Sequence, residues 1–398
     1  MTTTKTKRIL ALDILRGITI CGMILVNNPG SGYVFAPLEH AQWSGLTPTD
    51  LIFPFFMFIM GISTFISLRK YNFAPEGHTF RKIVKRTLGI YLVGLLIGCF
   101  AHFCYYWGHA DPSLTFWEQL GQAAWVFPTL RFSGVLARLA VCYGLTAIIA
   151  ITVNHKRIPY IILTLLVGYF FILMLGNGYC YGADNILSIV DRAVIGLPHM
   201  WDDNNVDPEG LLSTLPALAH VLLGFYIGKK LLSGHLFEGE KLETENHSQF
   251  PKQVLFLLLV GAVLTFSGFL LNYGCPINKK VWSPTFVLTT CGLASTLLGL
   301  LIYVVDLKGH VRWGRFFEAF GVNPLYLFVQ SDIFAILLGA IHVNNGSSTI
   351  SLHGFFCDNL LTPVFGDYGG SLAYALLFVL LNWVIGYQLY KRKIYIKL

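Results

Sequence analysis

Between Leu25 and Phe56 the chain reads LVNNPGSGYVFAPLEHAQWSGLTPTDLIFPFF, which sets His40 and Asp50 in a Gly- and Pro-rich loop between two very apolar segments. Imidazole takes and returns a proton near neutral pH, and it accepts an acyl group to give a reactive acyl-imidazole. A carboxylate beside it fixes its tautomer and supports the imidazolium. Glu39 is adjacent in sequence, whereas Asp50, at the start of the next helix, approaches from another direction. Both residues also have plainer readings. His40 is one of 12 histidines and sits in a wet loop, and an acid in a first helical turn, just after Pro48-Thr49, favours the positive end of the macrodipole. Asn27 and Asn28 precede Pro29-Gly30, so they either end the first segment or offer an amide N–H to a developing oxyanion. Asn27, Asn28, Glu39, His40, Trp43 and Asp50 therefore form one candidate constellation.

Other polar residues stand out against apolar surroundings. Asp13 and Arg16 are spaced i, i+3 on one helical face, which allows an ion pair. Arg138, in RFSGVLARLAVCY, has no acidic neighbour in sequence and points to a polar interior. DPEGLLSTLP at 207–216 reads as a helix start, and its Asp207 and Glu209 also suit a sugar hydroxyl or an amine. PINKKVW at 276–282 carries Lys279 and Lys280. No GxSxG elbow, HExxH site, Walker loop or Rossmann fingerprint occurs, and the eight cysteines lack metal-type CxxC spacing. Neither a metal nor nucleic acid is expected.

The elements that must carry these residues are membrane helices. The chain is 55% hydrophobic and only 12% charged, with a mean hydropathy of +0.61, far from the roughly 25% charge of soluble domains. Segments approaching the roughly 20 apolar residues that cross ~30 Å of hydrocarbon recur throughout. They fall near 9–28, 51–68, 87–107, 132–153, 158–176, 211–228, 253–273, 284–305, 317–341 and 371–390. The expected fold is all-α: one polytopic domain over 1–398 with about ten transmembrane helices. The basic start MTTTKTKRIL lacks a following cleavage site and reads as leading into a retained first helix.

Most of the 28 basic residues sit in alternate loops: Lys5, Lys7 and Arg8; Arg69 to Arg86; Lys156 and Arg157; Lys229 to Lys252; Lys308 to Arg315; and Lys391 to Lys397. The opposite loops hold Arg131, Arg192, Lys279 and Lys280, while Arg16 and Arg138 lie within spans. Because cytoplasmic loops carry the Lys/Arg excess, both termini are expected in the cytoplasm and His40 outside it. The +7 charge is then a topology signal that also attracts anionic lipids or a phosphorylated cosubstrate. The segment 229–252 reads as a solvated inner connector. Cys180, Cys275 and Cys357 fall in outer loops, where oxidation is chemically allowed.

RILALDILRGITICGMILVNNPGS followed by LEHAQWSGLTPTDLIFPFFMFIMG resembles the heparan-α-glucosaminide N-acetyltransferase family. The resemblance continues through RFSGVLARLAVCY, Asp191-Arg192, DPEGLLSTLP, PINKKVWSPTFVL and FGVNPLYLF, and so covers nearly the whole chain. It implies a bacterial relative in the inner (cytoplasmic) membrane, without the large luminal domain of the lysosomal enzymes. It further implies transfer of acetyl from cytoplasmic acetyl-CoA to an amino sugar or glycan amine on the far side. By residue-to-residue match, the family's active-site histidine falls on His40, its aspartate on Asp50 and its asparagine on Asn27. Arg138, Arg16 and Asn28 are then the expected contacts of acetyl-CoA, and Trp43, Glu209, Asp207 and Lys279 those of the acceptor. Membrane lipids are expected partners, and a homodimer is compatible with this reading. The alternative from another class is a proton-coupled transporter of a sugar or glycan precursor, with His40 and Asp50 as the coupling pair and Asp13, Arg16 and Arg138 lining the path.

Overall fold

The computed structural model describes residues 9–109, 111, 113–232, 251–344 and 349–396. Lys5, Lys7, Arg8, Lys241, Lys397 and most of the 229–252 connector lie outside the described residues. Long apolar runs with few breakers give α1 (Leu10–Asn27), α2 (Pro48–Arg69), α3 (Gly77–Gly108), α5 (Val135–Thr152), α6 (Ile158–Leu175), α8 (Thr214–Leu232), α9 (Lys252–Leu271) and α10 (Pro284–Leu301). Two short helices, α4 (Phe116–Ala124) and α7 (Ile186–Val194), fall inside segments expected to be loops. Then come α11 (Gly314–Val322), α12 (Pro324–Ala340), the paired strands β1 (His342–Asn344) and β2 (Thr349–Ser351), a single turn α13 (Leu352–Gly354), and α14 (Thr362–Lys391).

Among the described residues, nine helices are long and apolar enough to cross a membrane, or ten if α11 and α12 count as one bent span. The apolar run expected as a span near 317–341 is broken, because α11 and α12 meet at 85°. The cause is local. Pro324 has no N–H to continue the helix and disfavours helical backbone at Asn323, whose φ and ψ are −125° and 53°.

Close backbone approach sets the frame of the bundle. At Gly17 a Cβ would fall on the Phe317 carbonyl, and at Gly321 on that of Asp13, so α1 and α11 cross in direct backbone contact. Gly61 and Gly224 do the same for α2 and α8 against Val221 and Phe58. Both ends of the described chain are tied to one end of the bundle: Leu10 and Ala11 N–H donate to Asp306, each at 3.0 Å, and Asn323 holds the Ile394 carbonyl and the Ile396 amide. The loops holding His40, Lys279 and Asp207 gather at the opposite end, where Gly45 N–H meets the Ile277 carbonyl and Trp43 Nε1 the Tyr179 carbonyl.

Candidate active site

The start of α2 builds the core of the site. Thr47 is its N-cap, and the Asp50 carboxylate answers it from the first turn. Oδ2 accepts from Thr47 N–H (3.1 Å), Thr47 Oγ1 (3.0 Å) and Ala41 N–H (3.1 Å). Oδ1 is left for His40 Nδ1, at 2.6 Å. Capping and histidine support are therefore divided between the two oxygens of one fully buried side chain. An ionised carboxylate with this many donors requires Nδ1 to carry the proton, so the Nε2 lone pair is free. The His40 side chain is 48% exposed, which leaves Nε2 open to a reactant.

Lys279 arrives from the other side. Its Nζ lies 3.1 Å from Nδ1 and 3.4 Å from Nε2 of His40, and 3.5 Å from Asp50 Oδ1. The turn that delivers it is tightly specified: Ser283 Oγ accepts from Asn278 N–H, Asn278 Oδ1 accepts from Val281 N–H, and Trp282 N–H bonds the Lys279 carbonyl. Trp282 adopts φ of 52°, a conformation held by its burial against Phe53, Phe286 and Arg138. Desolvation lowers the Lys279 pKa, while Asp50 and Glu209 partly restore it.

Around this trio stands a polar wall. Asp207 is buried, with Arg131 at 2.6 Å and the Trp201 and Glu209 amides each at 2.9 Å, together with the Ser133 hydroxyl. Burial pulls its pKa up, but Arg131, Ser133 and Trp201 outweigh that and hold it below the usual carboxylate range. Both Asp207 oxygens are engaged in bracing the 200–210 loop. Glu209, partly exposed, pairs with Arg131 at 2.8 Å and keeps a face toward Lys279. Trp43 packs at a tilt against Tyr181 with ring centroids 4.6 Å apart, and Lys280 covers Tyr181 while pairing with Asp203 at 2.7 Å.

The remaining expected residues sit apart from the trio. Asn27 ends α1 exposed, with no side-chain hydrogen bond among the described residues, and Asn28 turns its amide back to the Ile24 carbonyl at 2.8 Å. Arg16 bonds Asp13, Ser63 and the Gly321 carbonyl, eleven residues and hence roughly 16 Å of helix below the end of α1. Arg138 bonds Ser213 and the Gly210 carbonyl at the His40 end of the bundle. It lies at the end opposite the cation-rich loops, and its Nε and Nη1 have no hydrogen-bond partner among the described residues. Sequence reasoning overlooked Arg131, Tyr179 and Tyr181. The only available signal was the aromatic and acidic density of the loops that hold them.

A bundle of apolar helices with a histidine, a carboxylate and a lysine converging at one end defines an integral membrane protein with the groups needed for acyl or proton transfer. Residues 8–257 match the family described as heparan-alpha-glucosaminide N-acetyltransferase, catalytic, and the chain belongs to that family. It is 27% identical to the human heparan-alpha-glucosaminide N-acetyltransferase over 384 residues, 82% of this chain and 53% of that protein. The mouse counterpart is also 27% identical, over 382 residues. The chain thus spans about half the length of these relatives. Among the described residues no group of three or more His, Cys, Asp or Glu is placed to hold a metal, and all eight cysteines are free thiols.

Proposed function

We propose that this protein is a transmembrane acetyltransferase of a bacterial inner membrane, moving acetyl from acetyl-CoA to an amino sugar or glycan amine at the His40 end of the bundle. The observation that carries the proposal is the 2.6 Å His40–Asp50 pair, with Nε2 open and aromatic side chains beside it. Neutral Nε2 either attacks the thioester or takes a proton from the amine, and Asp50 stabilises the positive ring in both cases. The tilted Trp43–Tyr181 pair suits the apolar face of a sugar ring, and Glu209 suits its amine or hydroxyls.

CoA is too large and too highly charged to cross hydrocarbon, so its nucleotide belongs at the cation-rich end. A cavity of about 440 Å³ opens there, lined by Phe73, Asn154, His155, Lys156 and Lys229. The family resemblance and the excess of basic residues at that end support this orientation. The intramembrane charges lend the transporter reading little support: Asp13 and Arg16 bond each other at 2.9 Å, and Arg138 Nη2 bonds the loop above it.

CoA release by detergent-solubilised protein, measured with a panel of amino sugars, tests the proposal. His40→Ala is expected to abolish release. Asp50→Asn, which keeps the size and capping oxygen, should lower it by roughly 10²-fold or more. Normal release by the histidine variant would refute the mechanism, and none by wild type with any acceptor would favour transport.

A further inference from the structure

The ion pair with Asp50 does not account for the whole placement of Lys279. That carboxylate already takes three hydrogen bonds on Oδ2 and the imidazole on Oδ1, and the ammonium stands 3.5 Å from it, outside good hydrogen-bond distance. Its nearest polar atoms are instead the two ring nitrogens, at 3.1 and 3.4 Å. Nζ is nearly equidistant from the two ring nitrogens. A cation gains little from a neutral ring whose Nδ1 already carries a proton. Its donors therefore stand 3.4 Å from Nε2, the ring atom at which new bonds form.

We propose that Lys279 is the oxyanion donor of the transfer, receiving the negative charge that develops on the acetyl carbonyl oxygen as His40 Nε2 attacks the thioester. The inference rests on the acetyl-transfer reading above. The Nε2 lone pair forms the N–C bond while the carbonyl π pair moves onto oxygen, next to the ammonium. Return of that pair breaks the C–S bond and releases CoA as thiolate, leaving an acetyl-imidazolium whose Nδ1–H stays on Asp50. The acceptor amine then attacks the same carbonyl, which places a second oxyanion in the same position. Collapse expels neutral imidazole, and the proton of the new N-acetyl group passes to the thiolate, giving amide and CoA thiol. The rigid Asn278–Ser283 turn, pinned by buried Trp282, supplies the preorganisation that such a donor needs.

Steady-state CoA release with saturating glucosamine, as a function of pH, tests this in the full chain. Lys279→Met should cut kcat by about 10²- to 10³-fold, the usual effect of losing one such donor, with little change in KM for acetyl-CoA. The charged groups facing Lys279 are His40, Asp50, Glu209 and Lys280. Wild-type kcat should fall on the alkaline side as the desolvated ammonium loses its proton. Lys279→Arg should keep measurable turnover without that alkaline fall, because a guanidinium stays charged. The arginine variant also decides the matter if the methionine variant does not fold. Lys279→Met within threefold of wild type, or an alkaline limb unchanged in Lys279→Arg, would overturn the assignment. A wild type that releases no CoA with glucosamine or any other amino sugar of the panel would instead remove the acetyl-transfer reading itself.

Discussion

Asp50 shows how one side chain meets two demands without compromise, because Oδ2 caps α2 and Oδ1 holds His40. Asp191 shows the opposite case. It is fully buried in α7, accepts from Leu211 N–H through Oδ1 at 2.8 Å, and leaves Oδ2 without a partner among the described residues. Burial pushes its pKa up to about 6, helped by the nearby Asp207 charge, while the Leu211 amide and Arg138 pull the other way. The folded state therefore binds the proton more tightly than the unfolded chain. The stability that this contributes is fully present below the ordinary value of 3.8 and is lost as pH rises through about 6. Thermal unfolding in detergent at pH 4 and pH 7 should show a loss on the order of 2 kcal/mol from this group, and Asp191→Asn should remove most of it. An unchanged pH dependence in that variant would show that the carboxyl is ionised throughout.

The 200–213 segment is the element on which the site depends most, although it forms no regular secondary structure. It is held from three sides: by Arg131 and Ser133 on Asp207, by Arg138 on Gly210 and Ser213, and by Asp191 on Leu211. Gly210 is the point where these meet. A Cβ there would fall on Asp191 Oδ2, with no backbone constraint involved. Gly210→Ala should therefore push Asp191 and the loop apart, displace Glu209, and lower kcat by about 10-fold or more, given that a 1 Å misplacement costs up to ~10². The variant should still purify as a folded protein, since the α2–α8 and α1–α11 contacts lie elsewhere. Activity equal to wild type would mean that the loop tolerates the shift and that Glu209 plays no part in the reaction.

Across the whole bundle, the two ends differ in charge and in built structure. One end collects Arg69, Lys70, Lys156, Lys229, Lys308 and Lys391, whereas the other carries the His40 loop and its ion pairs. Cysteines introduced one at a time at Ser44 and Lys156, both exposed, in a cysteine-free background read this difference directly. In intact cells an impermeant thiol reagent should label position 44 and leave position 156 untouched until the membrane is opened. The reverse pattern would invert the orientation and move acetyl-CoA to the His40 end.

Much of this architecture was legible from composition and charge order, because crossing a bilayer imposes a length and a hydropathy that a window of residues records. The spans and the concentration of basic residues at one end follow from such local quantities, whereas the roles expected of His40 and Asp50 came from the family resemblance. The 85° break at Asn323–Pro324 was also written locally, but an apolar run of the right length concealed it. What only the tertiary structure decided is partnership over long sequence distance. Lys279 meets His40 across 239 residues, Arg131 meets Asp207 across 76, and Arg138 proves to be a brace for Gly210 and Ser213. Hydropathy places a residue along the membrane normal, but it does not say which helices are neighbours or which face of each is turned inward. Those choices are made by glycines such as Gly17, Gly61, Gly224 and Gly321, where backbones touch. They bring distant loops to one end of the bundle, and their effect depends on both surfaces at once.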